Sequence, residues 1–123
     1  MHEQSRLLSH IAPVFQIKDM ARSLSFYQAQ LGFKLVYLYE NFYGSVVRDG
    51  CHIHVQCGTT AKRGQTAFER DKHLDACVMV RDAQAPSRSL TAAQVTITVP
   101  LRQMPFGTEF YVRDPDGYIL GFV

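Results

Sequence analysis

Apolar and polar residues alternate in short runs along this chain, a period that predicts strands, and two longer stretches between them read as helices. From Cys51 to Cys57 the odd positions, Cys51, Ile53, Val55 and Cys57, are apolar, while His52, His54 and Gln56 are polar. A strand with that pattern packs one face and leaves the other open. The run Ile11 to Lys18 sorts the same way, with Ile11, Pro13, Phe15 and Ile17 packing and Ala12, Val14 and Gln16 opposite. In Leu74 to Arg81 the packing set is Leu74, Ala76, Val78 and Val80, and Asp75, Cys77 and Met79 face the other side. Near the end, an apolar run through Tyr111 and Val112 meets the tight turn Asp114-Pro115-Asp116-Gly117 and continues as Tyr118 to Phe122, which predicts a hairpin. There Tyr118, Leu120 and Phe122 pack, with Ile119 and Gly121 on the open face. Asp19 and Asp82 each follow a strand and open a helical stretch as N-caps; Pro86 inside the second stretch predicts a late start or a kink.

The two N-cap aspartates stand 63 residues apart, and the pattern around them repeats. Leu35-Val36 aligns with Ile97-Thr98, and Val46-Val47-Arg48-Asp49 aligns with Tyr111-Val112-Arg113-Asp114. The Asp49-Gly50 turn then matches the longer Asp114 to Gly117 turn through a two-residue insertion, which puts His54 opposite Gly121. Each half is strand, helix, three strands, too few strands and too little apolar cover to stand alone. The expected fold class is therefore α+β: two βαβββ modules, about 10–58 and about 73–123, related by pseudo-twofold symmetry and paired into one curved eight-stranded mixed sheet with a concave cleft. The whole chain, 1–123, is expected to form a single domain of this kind.

Composition narrows the function. A net charge of +2 without a run of Lys or Arg gives no electrostatic footprint for nucleic acid. No apolar stretch is long enough to span a bilayer, and Met1-His2-Glu3-Gln4-Ser5-Arg6 lacks the apolar core of a signal peptide, so a cytoplasmic protein is expected. Cys51, Cys57 and Cys77 lie in strand-like runs without metal-type spacing and read as reduced, buried small hydrophobes. The signatures of phosphate-binding loops, dinucleotide folds, zinc proteases and serine hydrolases are all missing from the sequence.

Phe110 to Val123, together with Ile17-Lys18-Asp19-Met20-Ala21-Arg22-Ser23-Leu24-Ser25-Phe26-Tyr27-Gln28-Ala29-Gln30-Leu31-Gly32-Phe33, resembles the vicinal-oxygen-chelate superfamily, which holds glyoxalase I, extradiol dioxygenases, fosfomycin-modifying enzymes and bleomycin-resistance proteins. The Phe26-Tyr27 pair and Leu31-Gly32-Phe33 look like the family's first helix and the entry to its second strand. The resemblance implies the family's curved sheet, and it puts the four metal-ligand positions of the family's enzymes at Ala12, His54, Asp75 and Gly121. Ala12 and Gly121 carry no donor, and a catalytic divalent ion needs about three protein ligands. Neither a metal nor another cofactor is therefore expected, and no residue is assigned as catalytic.

The pattern resembles the bleomycin-resistance branch: a non-catalytic small-molecule binding protein, a homodimer that sequesters a partly planar ligand in its clefts, with the segment before Ile11 crossing to the partner. The candidate ligand-binding residues are His52, His54 and Asp75 as polar groups, Tyr37, Tyr39 and Tyr43 as flat faces with hydroxyls, and Met104 and Phe106 from a loop. The alternative is a metal-dependent lyase or dioxygenase with a rearranged site at His10, His52 and His73, each two residues from a family position. Two residues displace a donor by roughly 6.6 Å along a strand. Arg48 and Arg113 precede matching turns and read as local ion pairs with Asp49 and Asp114.

Overall fold

The computed structural model describes residues 6–58 and 73–123. The first module runs β1 (Val14–Ile17), α1 (Met20–Ser25) continued by a π-helical turn at Phe26–Gln30, β2 (Lys34–Tyr39), β3 (Tyr43–Arg48) and β4 (Cys51–Cys57). The second runs β5 (Ala76–Val78), α2 (Gln84–Ala92), β6 (Thr96–Met104), β7 (Gly107–Arg113) and β8 (Ile119–Phe122). Within each module the first strand pairs parallel with the last and the rest pair antiparallel, giving the orders β1-β4-β3-β2 and β5-β8-β7-β6. The fold is thus α+β, two βαβββ modules with mixed sheets.

Hydrogen bonding closes two four-stranded sheets rather than the one eight-stranded sheet expected from the pattern. The modules are joined by side chains instead. One hydrophobic cluster takes Phe15, Ile17, Tyr27, Val46 and Val55 from the first module and Phe110, Val112, Tyr118 and Leu120 from the second. Two stacked rings, Phe15 on Tyr118 at 4.3 Å, cross the junction.

Alternation held in β1 and in the middle of β4 but not in β8, where Ile119 and Gly121, expected on the open face, are buried along with Leu120 because the second sheet is covered there on both sides. Phe15, Ile17, Ile53 and Val55 are buried and Val14 and Gln16 are exposed. The first strand is shorter than Ile11 to Lys18, because Pro13 has no N–H to give a ladder; its carbonyl instead accepts from His54 N at 2.9 Å. Ile11 is left 89% exposed. Asp19 caps α1 as expected, accepting from Arg22 N at 3.1 Å. Asp82 is displaced by one residue: Ala83 is the N-cap of α2 and the Asp82 side chain accepts from Gln84 N. Pro86 falls in the first turn of α2, where its missing N–H costs no helical bond, so neither a late start nor a kink is needed.

The register corrects the repeat. Val14↔His54 in the first module and Cys77↔Gly121 in the second put His54 and Gly121 at equivalent places, as expected. The pairs Val46↔Ile53 and Val112↔Leu120 then make Val46 equivalent to Val112 rather than to Tyr111. Both valines are fully buried. Asp49 and Gly50, with φ of 51° and 79°, form a two-residue hairpin loop, whereas Asp114 N donates to Tyr118 O across a three-residue loop that ends in Gly117 at φ 95°. The insertion is one residue, and the shared Val-Arg-Asp letters are one step out of structural register.

Arg48 does pair with Asp49, at 3.7 Å, and also donates to Leu31 O at 2.7 Å, closing the end of the first helical segment. Asp114 is not Arg113's partner; it is committed to other donors at the module junction. Its Oδ2 accepts from Tyr27 Oη at 2.6 Å, and its Oδ1 accepts from the backbone N–H groups of Asp116 and Tyr118. Cys51 and Cys77 are exposed and Cys57 half-buried, not the buried set expected, because they lie at strand ends or on the open face.

Candidate functional site

The open face of the first sheet is built by β2, β3 and β4. Antiparallel pairing places Tyr37 beside Ser45 and Ser45 beside His54, and Tyr43 lies two residues along β3 on the same face. Tyr43 Oη and His54 Nδ1 are 2.7 Å apart. The Tyr37 ring stacks parallel to Tyr43 at 6.4 Å and meets His54 edge-on at 6.3 Å. Desolvation raises the Tyr43 hydroxyl, with a smaller contribution from Tyr37, and lowers His54, with smaller contributions from His10 and His52. With Tyr43 protonated and His54 neutral, the hydroxyl can donate to Nδ1 in the tautomer that leaves Nε2–H as the ring's outward donor. Because the folded state disfavours the imidazolium, the stability His54 contributes is present above its ordinary 6.5 and lost as pH falls through the depressed value. An NMR titration of His54 should have its midpoint below 6.5, moving upward when the neighbouring Tyr37 ring is removed; a midpoint at or above 6.5 contradicts the desolvation of His54.

Of the other expected site residues, His52 lies on the same face of β4, its ring stacked on His10 at 3.5 Å and 11°. Tyr39 is exposed and ends β2. Met104 ends β6 and Phe106 occupies the β6–β7 turn, so both belong to the second sheet. Asp75 is also on that side, where its Oδ2 accepts from Ile119 N at 2.9 Å and its own N–H donates to Ile119 O. It clamps the start of β8 on the chain before β5. His54 and Asp75 are therefore not two anchors of one sheet, and the expected set divides between two faces.

The sequence reading missed the polar centre of the second sheet. Glu109 is buried, accepts from Arg102 Nε at 2.8 Å, and accepts from Tyr111 Oη at 3.3 Å. The Arg102 guanidinium also lies 5.6 Å from the Tyr111 ring centre. The corrected repeat makes Glu109 the counterpart of Tyr43 and Tyr111 that of Ser45. The signal was in the alternation of Glu109, Tyr111 and Arg113 with buried Phe110 and Val112.

The family's enzymatic metal positions do not fit an ion here. Ala12 and Gly121 have no donor, Asp75 holds a backbone N–H, and a Cβ on Gly121 would meet Leu74 Cδ1 at 2.6 Å. Leu74 occupies the space a longer side chain at 121 needs. The displaced set fares no better: the in-plane lone pairs of stacked His10 and His52 run side by side instead of converging, and His73 lies on the second-sheet side. Among the described residues no group of three or more His, Cys, Asp or Glu is arranged to hold a metal. No helix among them is long and apolar enough to cross a membrane.

Solved structures share this architecture. TioX from Micromonospora sp. ML1 is 22% identical, with 93% of this chain and 96% of that one covered and a TM-score of 0.73. The bleomycin-binding protein from bleomycin-producing Streptomyces verticillus, in complex with copper(II)-bleomycin, is 23% identical over 98% of each chain, again at 0.73. A superfamily member from Sphaerobacter thermophilus DSM 20745 is 25% identical, covering 96% and 98%, at 0.68. Comparison with curated proteins gave no match. The sequence model of the Glyoxalase/Bleomycin resistance protein/Dioxygenase superfamily matches residues 7–122, and the chain belongs to that superfamily.

Proposed function

We propose that this protein binds a small, partly planar molecule without transforming it, acting as a cytoplasmic homodimer of the bleomycin-resistance type. The observation that carries this reading is the Tyr43–His54 pair at 2.7 Å beside the half-exposed Tyr37 ring. It offers flat aromatic surface and one N–H donor, suited to a conjugated ring with an acceptor atom. The likeness to a protein that binds copper(II)-bleomycin supports the ligand class. In a homodimer whose clefts are completed across the twofold axis, the Glu109–Arg102–Tyr111 cluster supplies the charged wall.

Thermal shift against bleomycin and smaller heteroaromatic cations tests the proposal. A ligand at a hundredfold excess over its dissociation constant adds about 2.7 kcal/mol to native stability, a rise of several degrees in Tm. Tyr43→Phe and His54→Ala should each reduce that rise, at a cost of about tenfold in affinity. Unchanged shifts in both variants place the ligand elsewhere. Elemental analysis separates the metal-dependent lyase or dioxygenase: one equivalent of transition metal per chain, lost on His54→Ala, would establish that alternative instead.

A further inference from the structure

β5 is an edge strand of the second sheet, and Asp75, Cys77 and Met79 follow one another at alternate positions along it. Residues two apart on a strand are separated by roughly 6.6 Å, so their side chains ordinarily stand clear of each other. These two do not. Cys77 Sγ donates to Met79 Sδ at 3.8 Å, which means that the thiol and the thioether lean together. Packing does not force them into contact, because Cys77 is exposed, Met79 is 75% exposed, and Gly121, the partner of Cys77 across the β5–β8 ladder, brings no side chain beside it. Met79 is flexible enough to turn elsewhere. The backbone beneath the pair is fixed on both sides of Met79, since Val123 N donates to Val78 O at 3.0 Å and Val80 N donates to Val123 O at 2.9 Å. Two sulfur donors thus converge on an accessible surface from a rigid strand.

We propose that Cys77 and Met79 bind one cuprous ion. A thiolate and a thioether are both soft, polarizable donors, the combination that selects Cu(I) among the common biological metals. The spacing agrees with this. Two sulfurs at the roughly 2.3 Å usual for a metal–thiolate bond, and about 110–120° apart, lie roughly 3.8–4.0 Å from each other, so the ion enters with little movement of either side chain. Binding forms one bond to the Cys77 thiolate and one to the Met79 thioether, and the thiol proton leaves to water; copper enters and stays as Cu(I), so no electron moves. Zinc is poorly served here: it takes Cys, His and carboxylate donors in a closed set, and the neighbouring Asp75 already accepts from Ile119 N through Oδ2. The pair shares no residue with the four family positions Ala12, His54, Asp75 and Gly121, and it lies on the second sheet, away from Tyr37, Tyr43 and His54.

Anaerobic titration of the full chain with Cu(I), presented as its coloured bicinchoninate complex, reads the affinity by loss of colour. Both side chains are exposed, so Cys77→Ser and Met79→Leu leave the fold intact. The unmodified protein should take one tightly held Cu(I) per chain, X-ray absorption should find two sulfur neighbours, Cys77→Ser should abolish the site, and Met79→Leu should weaken it by at least about tenfold. His54→Ala should leave the copper in place, which separates this site from the metalloenzyme alternative. Cys51 and Cys57 belong to the first sheet, so Cys51→Ser combined with Cys57→Ser should also retain it. Binding unchanged by Met79→Leu would reduce the site to an ordinary thiol and overturn the proposal. Zinc competing on equal terms, or copper lost with Cys51 and Cys57 rather than Cys77, would overturn it as well.

Discussion

Asp114→Ala is expected to remove about 3–5 kcal/mol of folding stability at pH 5. The substitution strands three donors at once: the Tyr27 hydroxyl, itself fully buried, and the N–H groups of Asp116 and Tyr118. It also releases the turn from which Asp116 reaches Lys18 N and Arg22, the polar link between modules that share no ladder. Tyr27→Phe should cost less, about 1–3 kcal/mol, since it leaves a single acceptor short. The pH dependence has a definite sign. Burial pushes the Asp114 carboxyl up from 3.8 to about 6, against the hydrogen bonds from Tyr27, Tyr118 and Asp116 that favour its charge. A raised carboxyl contributes stability that is complete below the unfolded value and lost as pH rises through the folded one, about 3 kcal/mol in all. The loss caused by Asp114→Ala should therefore be about 1.4 kcal/mol larger at pH 5 than at pH 7.5. Urea denaturation at both pH values reads this directly. A loss below about 1 kcal/mol at pH 5, or one that grows with pH, would mean that the junction is not held by Asp114. His54 works in the opposite direction, losing its contribution as pH falls, so the His54→Ala variant serves as a control of opposite sign.

Local pattern carried most of the fold because local chemistry decides it. Alternation placed Phe15, Ile17, Ile53 and Val55 inside, and the Asp19 cap and both hairpin turns needed only residues a few positions apart. Choices settled by tertiary contact were the ones misread. Identical letters aligned Val46 with Tyr111, but burial and register pair it with Val112, since a core position is defined by what covers it and not by its neighbours in sequence. One continuous sheet was expected because each half exposes edges, yet the junction is a cluster of side chains with a hydrogen-bonded turn, which no strand pattern announces. Parity put His54 on the open face of β4 and Tyr37 on one face of β2, whereas the place of Tyr43 beside His54 depends on the β3–β4 register. The bond from Ile119 N to Asp75 was not legible, because a carboxylate beside a strand start serves a backbone N–H as readily as a ligand, and only the β8 register shows the bond. Glu109 was passed over although its alternation was visible, because a charged residue inside a strand pattern is ordinarily solvated and its burial depends on Arg102 arriving from β6.

Sedimentation equilibrium at micromolar concentration is expected to find a dimer that Leu8→Asp combined with Ile11→Asp takes apart. Residues 6–13 form no regular structure, and Leu7, Leu8 and Ile11 are 90%, 84% and 89% exposed, more apolar surface than an isolated chain tolerates on one segment. The outer strand β2 adds Leu35, Val36 and Leu38, all exposed. Burying a Leu or Ile side chain contributes about 1.5–3 kcal/mol, and a twofold interface counts each residue twice. Two such residues lost from both protomers come to about 6 kcal/mol or more, about 10,000-fold or more in the dimer dissociation constant. Val36→Lys on β2 tells which surface is used: if the segment before Ile11 crosses to the partner, this variant should weaken the dimer far less than the Leu8/Ile11 pair. A monomeric unmodified protein, or a Leu8/Ile11 variant that dimerises as before, would remove the crossing segment, and with a monomer the shared cleft that joins the Tyr43–His54 face to Glu109 goes as well.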